Sequence, residues 1–268
     1  MKGGCRELQE RILLKSHLLY TLIPREVLQM ANYVISDIHG HYDYYLKMLE
    51  KIRFSEEDML YILGDVVDRG PHPVKVLQDL MRRPNVCCLA GNHEEMFCDC
   101  MKTLLKEITE ESIAGMDENT LEMLLSWQMN GSAPTTKEFQ KLSRSEQREI
   151  FEFVSEFDVY EEVHTAMGEF LLVHAGLSNF EPDKEIWEYE LQELIWTRPD
   201  YQRTYFRDKF IVTGHTPTLL IEENPRKGFI YKSHNNIAID CGCGITGGRL
   251  GCLRLDDLKE FYVEEKDL

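Results

Sequence analysis

The sequence predicts an α/β fold with helices outside two sheets, or outside one large mixed sheet. Three observations lead there. Short β-branched runs, each closing on a Gly or polar turn, alternate with stretches of helical apolar spacing. The first three runs stand in β-α-β-α-β order, which implies parallel strands joined by right-handed crossovers. The chain has 268 residues, 43% of them hydrophobic and 29% charged, enough to bury one large core.

Taken in order, residues 1–29 have the amphipathic spacing of a helical extension. Met30 directly precedes Ala31-Asn32 and the first strand, so it offers an alternative biological start. Strands are expected at 33–36, 59–63 and 86–89, with helices at 41–51 and 73–81 between them. Residues from Glu94 to about 163 show helical spacing (Met101, Leu104, Leu105, Ile108, then Leu121, Leu124, Leu125) and no clear strand. This stretch, about 95–163, reads as a helical insertion in a single domain covering 30–268. Further strands are expected at 170–173, 210–213, 236–239, 251–255 and 260–263. The last three lie close together, as in an antiparallel meander.

Composition excludes several functions. The net charge of −17 repels nucleic acid and anionic membranes, so neither is an expected partner. No uncharged apolar stretch reaches the length of a membrane span. Glu7, Glu10, Arg11, Lys15 and His17 interrupt the N-terminal apolar run, and no small-residue cleavage site follows it, unlike a secretory signal. The eight cysteines, Cys5, Cys87, Cys88, Cys98, Cys100, Cys241, Cys243 and Cys252, contain no CxxC pair. They fit reduced thiols in a cytoplasmic protein better than a disulfide framework or a zinc site.

The chemistry gathers at strand ends. The first strand delivers Asp37-Ile38-His39-Gly40, the second Gly64-Asp65-Val66-Val67-Asp68-Arg69-Gly70, and the third Gly91-Asn92-His93-Glu94. Loops at the carboxyl ends of parallel strands share one crevice, so Asp37, His39, Asp65, Asn92 and His93 should meet there. Two later strands end in the same way, at His174-Ala175-Gly176 and Gly214-His215-Thr216. This mixture of oxygen and nitrogen donors suits two divalent metals sharing a carboxylate. A single histidine at a strand end is usually structural, and His17, His41, His72, His164 and His234 are read that way. Five ordered motifs that all supply ligands are not.

These motifs resemble the calcineurin-like metallophosphoesterases, and within them the phosphoprotein phosphatase branch. The resemblance extends from about residue 31 onward. Trp127-x-x-Asn130-Gly131 and Trp196-Thr197-Arg198 resemble the bacterial and lambda-phage serine/threonine phosphatases of that branch. Ala90 departs from the pattern, which often has Arg before Gly-Asn-His-Glu. The resemblance implies an α/β/β/α sandwich with a helical insertion. It implies one metal on Asp37, His39 and Asp65, and a second on Asp65, Asn92, His174 and His215. Arg69 and Arg198 would grip phosphoryl oxygens, His93 would protonate the leaving oxygen, and Asp68 would orient His93.

The expected activity is hydrolysis of a phosphomonoester by metal-activated hydroxide, with phosphoserine or phosphothreonine protein as the leading substrate. The alternative is a symmetrical dinucleoside polyphosphate hydrolase, whose motifs look almost identical. Manganese is the expected metal, with iron and zinc also compatible with the donors.

Overall fold

The computed structural model describes residues 30–105 and 117–268. The expected N-terminal extension at 1–29, with Cys5 and His17, lies outside the described residues. Among the described residues ten strands form two five-stranded sheets.

The first sheet runs in the order β10-β9-β1-β2-β3, with β1 (Asn32–Ile35), β2 (Met59–Ile62), β3 (Val86–Cys88), β9 (Leu250–Arg254) and β10 (Lys259–Val263). β1, β2 and β3 are parallel, and β9 and β10 add antiparallel strands beside β1. Helices α1 (Tyr42–Ile52) and α2 (Pro73–Leu80) provide the crossovers. α1 stops where Arg53 turns into the left-handed region at φ 54°, and Pro73 preorganises the first turn of α2.

The second sheet runs β4-β5-β6-β8-β7, with β4 (Tyr160–Thr165), β5 (Gly168–Val173), β6 (Lys209–Thr213), β7 (Tyr231–Ser233) and β8 (Asn236–Ala238). The expected meander is therefore corrected. The run at 236–239 pairs parallel with β6 in the second sheet, whereas β9 and β10 belong to the first. Closeness in sequence misled because the segment between β8 and β9 passes from one sheet to the other.

Alternation along each strand builds the layers. In β1, Tyr33 and Ile35 face α1 and α2, whereas Val34 faces the second sheet. In β5, Phe170 and Leu172 join Val34 between the sheets, and Leu171 and Val173 point outward beneath Leu194 and Ile195. This period of two, with both faces covered, produces the continuous apolar runs visible in the sequence. The result is a helix–sheet–sheet–helix sandwich.

Between β3 and β4 stand α3 (Asn92–Leu104), α4 (Glu118–Met129), α5 (Ala133–Phe139) and α6 (Arg144–Ser155). Helix ends at Ser155, and residues expected to continue the helical stretch to about 163 enter β4. That strand hid because it is an edge whose largely polar sequence, YEEVHT, buries only Val163. α7 (Leu191–Ile195) lies on the outer face of the second sheet. Among the described residues no helix is long and apolar enough to cross a membrane. All seven described cysteines are free thiols.

Candidate metal centre

Every expected site residue except Arg198, which follows α7, comes after a strand's carboxyl end. β1 leads into Asp37 and His39, and β2 into Asp65, Asp68 and Arg69. β3 leads into Asn92 and His93, β5 into His174, and β6 into His215. Backbone bonds lock the loops together: Asp37 N–H donates to Gly64 O at 3.1 Å, His39 N–H to Asp65 O at 2.8 Å, and Gly214 N–H to His174 O at 2.7 Å. Asp37, His39, Asp65, Asp68, Arg69 and His215 all hold positive φ, between 45° and 70°. Each such residue costs on the order of 1 kcal/mol, a strain that the surrounding packing must offset. Two glycines admit this crowding. A Cβ on Gly64, at φ 76°, would lie 2.5 Å from Gly91 N, and one on Gly91 would lie 2.3 Å from Asp65 Oδ1.

Two donor groups share Asp65. On one side, His174 Nε2 is 3.4 Å from Asp65 Oδ1, 3.1 Å from Asn92 Oδ1 and 3.3 Å from His215 Nδ1. His215 Nδ1 is 2.9 Å from Asn92 Oδ1. On the other, His39 Nε2 is 3.6 Å and His93 Nε2 3.9 Å from Asp65 Oδ2. His174 Nδ1 donates to Leu63 O, and His39 Nδ1 to Val67 O, so each ring turns its Nε2 inward, where it can serve as a ligand. Lone pairs then face one another at His174 Nε2 and Asn92 Oδ1, an arrangement a shared cation stabilises. Atoms about 2.1 Å from one ion stand about 3.0–3.4 Å from each other, so this spacing fits a metal.

The charges point the same way. Burial, then Asp240 and Asp65, hold the Asp37 carboxyl well above the usual carboxylate range. Burial opposes ionisation of Asp65 too, but His174, His93, His39 and His215 outweigh it and keep that carboxylate low. Burial pushes His39 down to about 3 and His215 down to about 4, which leaves both free to ligate. The buried Asp65 carboxylate beside the unprotonated His39 and His215 rings could hold a cation. Asp37 stands apart from both three-residue donor groups, and its carboxylate accepts His215 N–H at 3.0 and 3.2 Å.

Next to the donors, His93 Nδ1 bonds Asp68 Oδ2 at 2.7 Å, with both side chains fully buried. Arg69 spans the two imidazoles that border Asp65: Nη1 donates to His39 Nε2 at 2.7 Å and Nη2 to His93 Nε2 at 2.8 Å. Arg198 Nη1 donates to Thr216 Oγ1 at 3.5 Å. Among the described residues it forms no ion pair with the acidic 181–193 stretch.

Residues 32–245 match the calcineurin-like phosphoesterase family. The chain belongs to it. A relative from Bacillus velezensis, bis(5'-nucleosyl)-tetraphosphatase PrpE [asymmetrical], is 26% identical over 88% of this chain and 93% of its own length. The symmetrical bis(5'-nucleosyl)-tetraphosphatase of Wigglesworthia glossinidia brevipalpis is 34% identical, over 37% of each chain. A protein serine/threonine phosphatase structure from Saccharomyces cerevisiae superposes with a TM-score of 0.53 at 14% identity, covering 89% of this chain and 80% of the other. At that identity the superposition shows a shared fold and nothing finer.

Around the candidate site stand residues to which sequence reasoning gave no role. Glu94 is buried, and its carboxylate accepts backbone N–H groups from Asp65, Val66, Val67 and Gly91 at 2.7–3.2 Å. Its place three residues after the N-cap Gly91, from which a Glu side chain reaches back to the N-cap N–H, was a readable signal. Trp127 Nε1 donates to Asp68 Oδ2 at 2.8 Å, and Thr135 Oγ1 to Asp68 Oδ1 at 2.6 Å. Thr135 carried no signal, because only the folding of α5 against the β2 loop brings it there. Asp240 is buried as well; burial raises its carboxyl to about 7.

Proposed function

We propose that this metallophosphoesterase hydrolyses dinucleoside polyphosphates through a two-metal site. Asp37, His39 and Asp65 would hold one ion, and Asp65, Asn92, His174 and His215 the other. Manganese suits this mixture of carboxylate, amide and imidazole donors. When bound, the two ions supply the Lewis acidity that activates water and neutralises phosphoryl charge. The observation that carries the reading is the convergence of Asp65, Asn92, His174 and His215 donor atoms at spacings that one cation fits.

The chain's own groups do the rest. Arg69, exchanging its imidazole acceptors for phosphoryl oxygens, and Arg198 orient the transferred phosphoryl group with forked donors. His93 delivers a proton from Nε2 to the leaving oxygen, while Asp68, held by Trp127 and Thr135, fixes the ring. Positioning and charge neutralisation supply most of the acceleration, as phosphoryl transfer requires.

The substrate class rests on the near full-length similarity to a protein named as a tetraphosphatase, which outweighs the phosphoserine protein expected from the motifs. Fold alone does not separate the two. The test adds Mn²⁺ to metal-stripped protein and compares kcat/KM on diadenosine tetraphosphate and on a phosphoserine peptide. The dinucleotide is expected to be preferred by tenfold or more, about 1.4 kcal/mol of transition-state binding. Preference for the peptide would return the reading to a protein phosphatase. The products, two ADP or ATP with AMP, distinguish symmetrical from asymmetrical cleavage.

A further inference from the structure

Trp196 closes α7 beside the donor cluster. Its ring centroid lies 6.4 Å from that of His215, with the planes at 77°. The indole N–H donates to Glu95 Oε2 at 2.7 Å, and Gln192 Nε2 donates to Glu95 Oε1 at 2.8 Å. Glu95 lies in the first turn of α3, the helix that begins with Asn92 and His93. The indole is thus anchored through its polar edge to the element that carries two site residues.

Packing does not account for an indole at this position. Trp196 belongs to none of the four apolar clusters among the described residues, and 40% of its surface is exposed. Trp127 shows the contrast: it is buried in the core and spends its N–H on Asp68. Leaving a large apolar face in water gives up the main gain that an aromatic side chain brings to folding. A ring oriented by a hydrogen bond, open on its surface and adjacent to the phosphoryl site, suits the stacking of a flat group.

We propose that Trp196 is the stacking platform for the purine base of a nucleoside polyphosphate. The inference rests on the dinucleoside polyphosphate reading above. Arg198 lies two residues further on, so one short segment would meet both the base and the phosphate of the same nucleotide. Base–aromatic stacking of ordinary strength predicts roughly 5- to 100-fold weaker nucleotide binding when the ring is removed.

The test uses the full-length, manganese-loaded protein and its Trp196→Ala and Trp196→Phe variants. Measured are KM for diadenosine tetraphosphate and the inhibition constants of ADP and of pyrophosphate, which carries phosphates without a base. In Trp196→Ala, KM and the ADP constant should rise roughly tenfold, and the pyrophosphate constant far less. Trp196→Phe, which keeps a π face, should stay within about threefold of wild type. Equal weakening of ADP and pyrophosphate, or no change in either, overturns the platform while leaving the functional reading intact. Wild-type protein that cleaves phosphoserine peptide but not diadenosine tetraphosphate overturns the functional reading, and the purine platform falls with it.

Discussion

His93 and Asp65 approach to 3.9 Å, yet their surroundings give them different chemistry. Asp65 faces both donor groups, so Asp65→Asn removes charge from each. That variant should lose turnover of even an aryl phosphate and bind fewer than two metals per chain, as read by elemental analysis; full occupancy at wild-type rate would exclude a shared carboxylate. His93 is committed through Nδ1 to Asp68, which leaves only Nε2 for a substrate. His93→Asn should slow an alkyl phosphate by about 10²–10⁴-fold and an aryl phosphate far less, with metal content unchanged. Loss of metal, or equal slowing of both substrates, would make His93 a ligand or a phosphate binder instead. Burial works against the charged imidazole, but Asp65 and Asp68 outweigh it and raise its pKa. Asp68 keeps supporting the charged ring when Asp65 is committed to metals, and the acid's rate contribution should fade as pH rises and the imidazole loses its proton.

At the scale of elements, the N-terminus of α3 ties two strand ends together. Glu94 gathers N–H groups from the β2 loop and from Gly91, bringing the backbones that carry Asp65 and Asn92 within a few ångströms. Glu94→Gln keeps the shape but turns one acceptor oxygen into a donor facing N–H groups. It should cost about 2–4 kcal/mol of stability, the range for a broken buried charged network. Manganese affinity should fall alongside, because both loops relax. Urea unfolding and metal titration measure the two effects, and an unchanged midpoint would show that the cradle stands without the carboxylate. α4 and α5 act similarly on the acid, since Trp127 and Thr135 close around Asp68 from two separate helices. Trp127 was visible as a motif residue, but its target was not, because no local spacing connects positions 59 residues apart.

Across the whole molecule, two sheets pressed face to face set the distance between Asp37, Asp65 and Asn92 on one and His174 and His215 on the other. Ala31 to Leu268 forms one compact unit containing every proposed site residue. A chain beginning at Met30 should therefore keep kcat within about twofold, the spread expected when no interaction with the transition state is lost. A folded truncation without activity would show that residues 1–29 shape the site.

The sequence by itself determined the α/β class, and it supplied the strand ends and the polar residues proposed as metal donors. Those features are local: a β-branched run, the turn that ends it and the polar residue that follows share a few consecutive positions. Only the tertiary structure decided which sheet each late strand joins, that 160–165 is a strand, and what surrounds Asp68. Pairing depends on partners far along the chain: β8 lies 23 residues after β6 yet is its parallel neighbour, while β9 crosses the sandwich to meet β1. The same physics separates the ligands from their supports. A metal donor is recognisable by its type at a strand end, whereas a threonine or an indole gains its role only from the groups that folding brings against it.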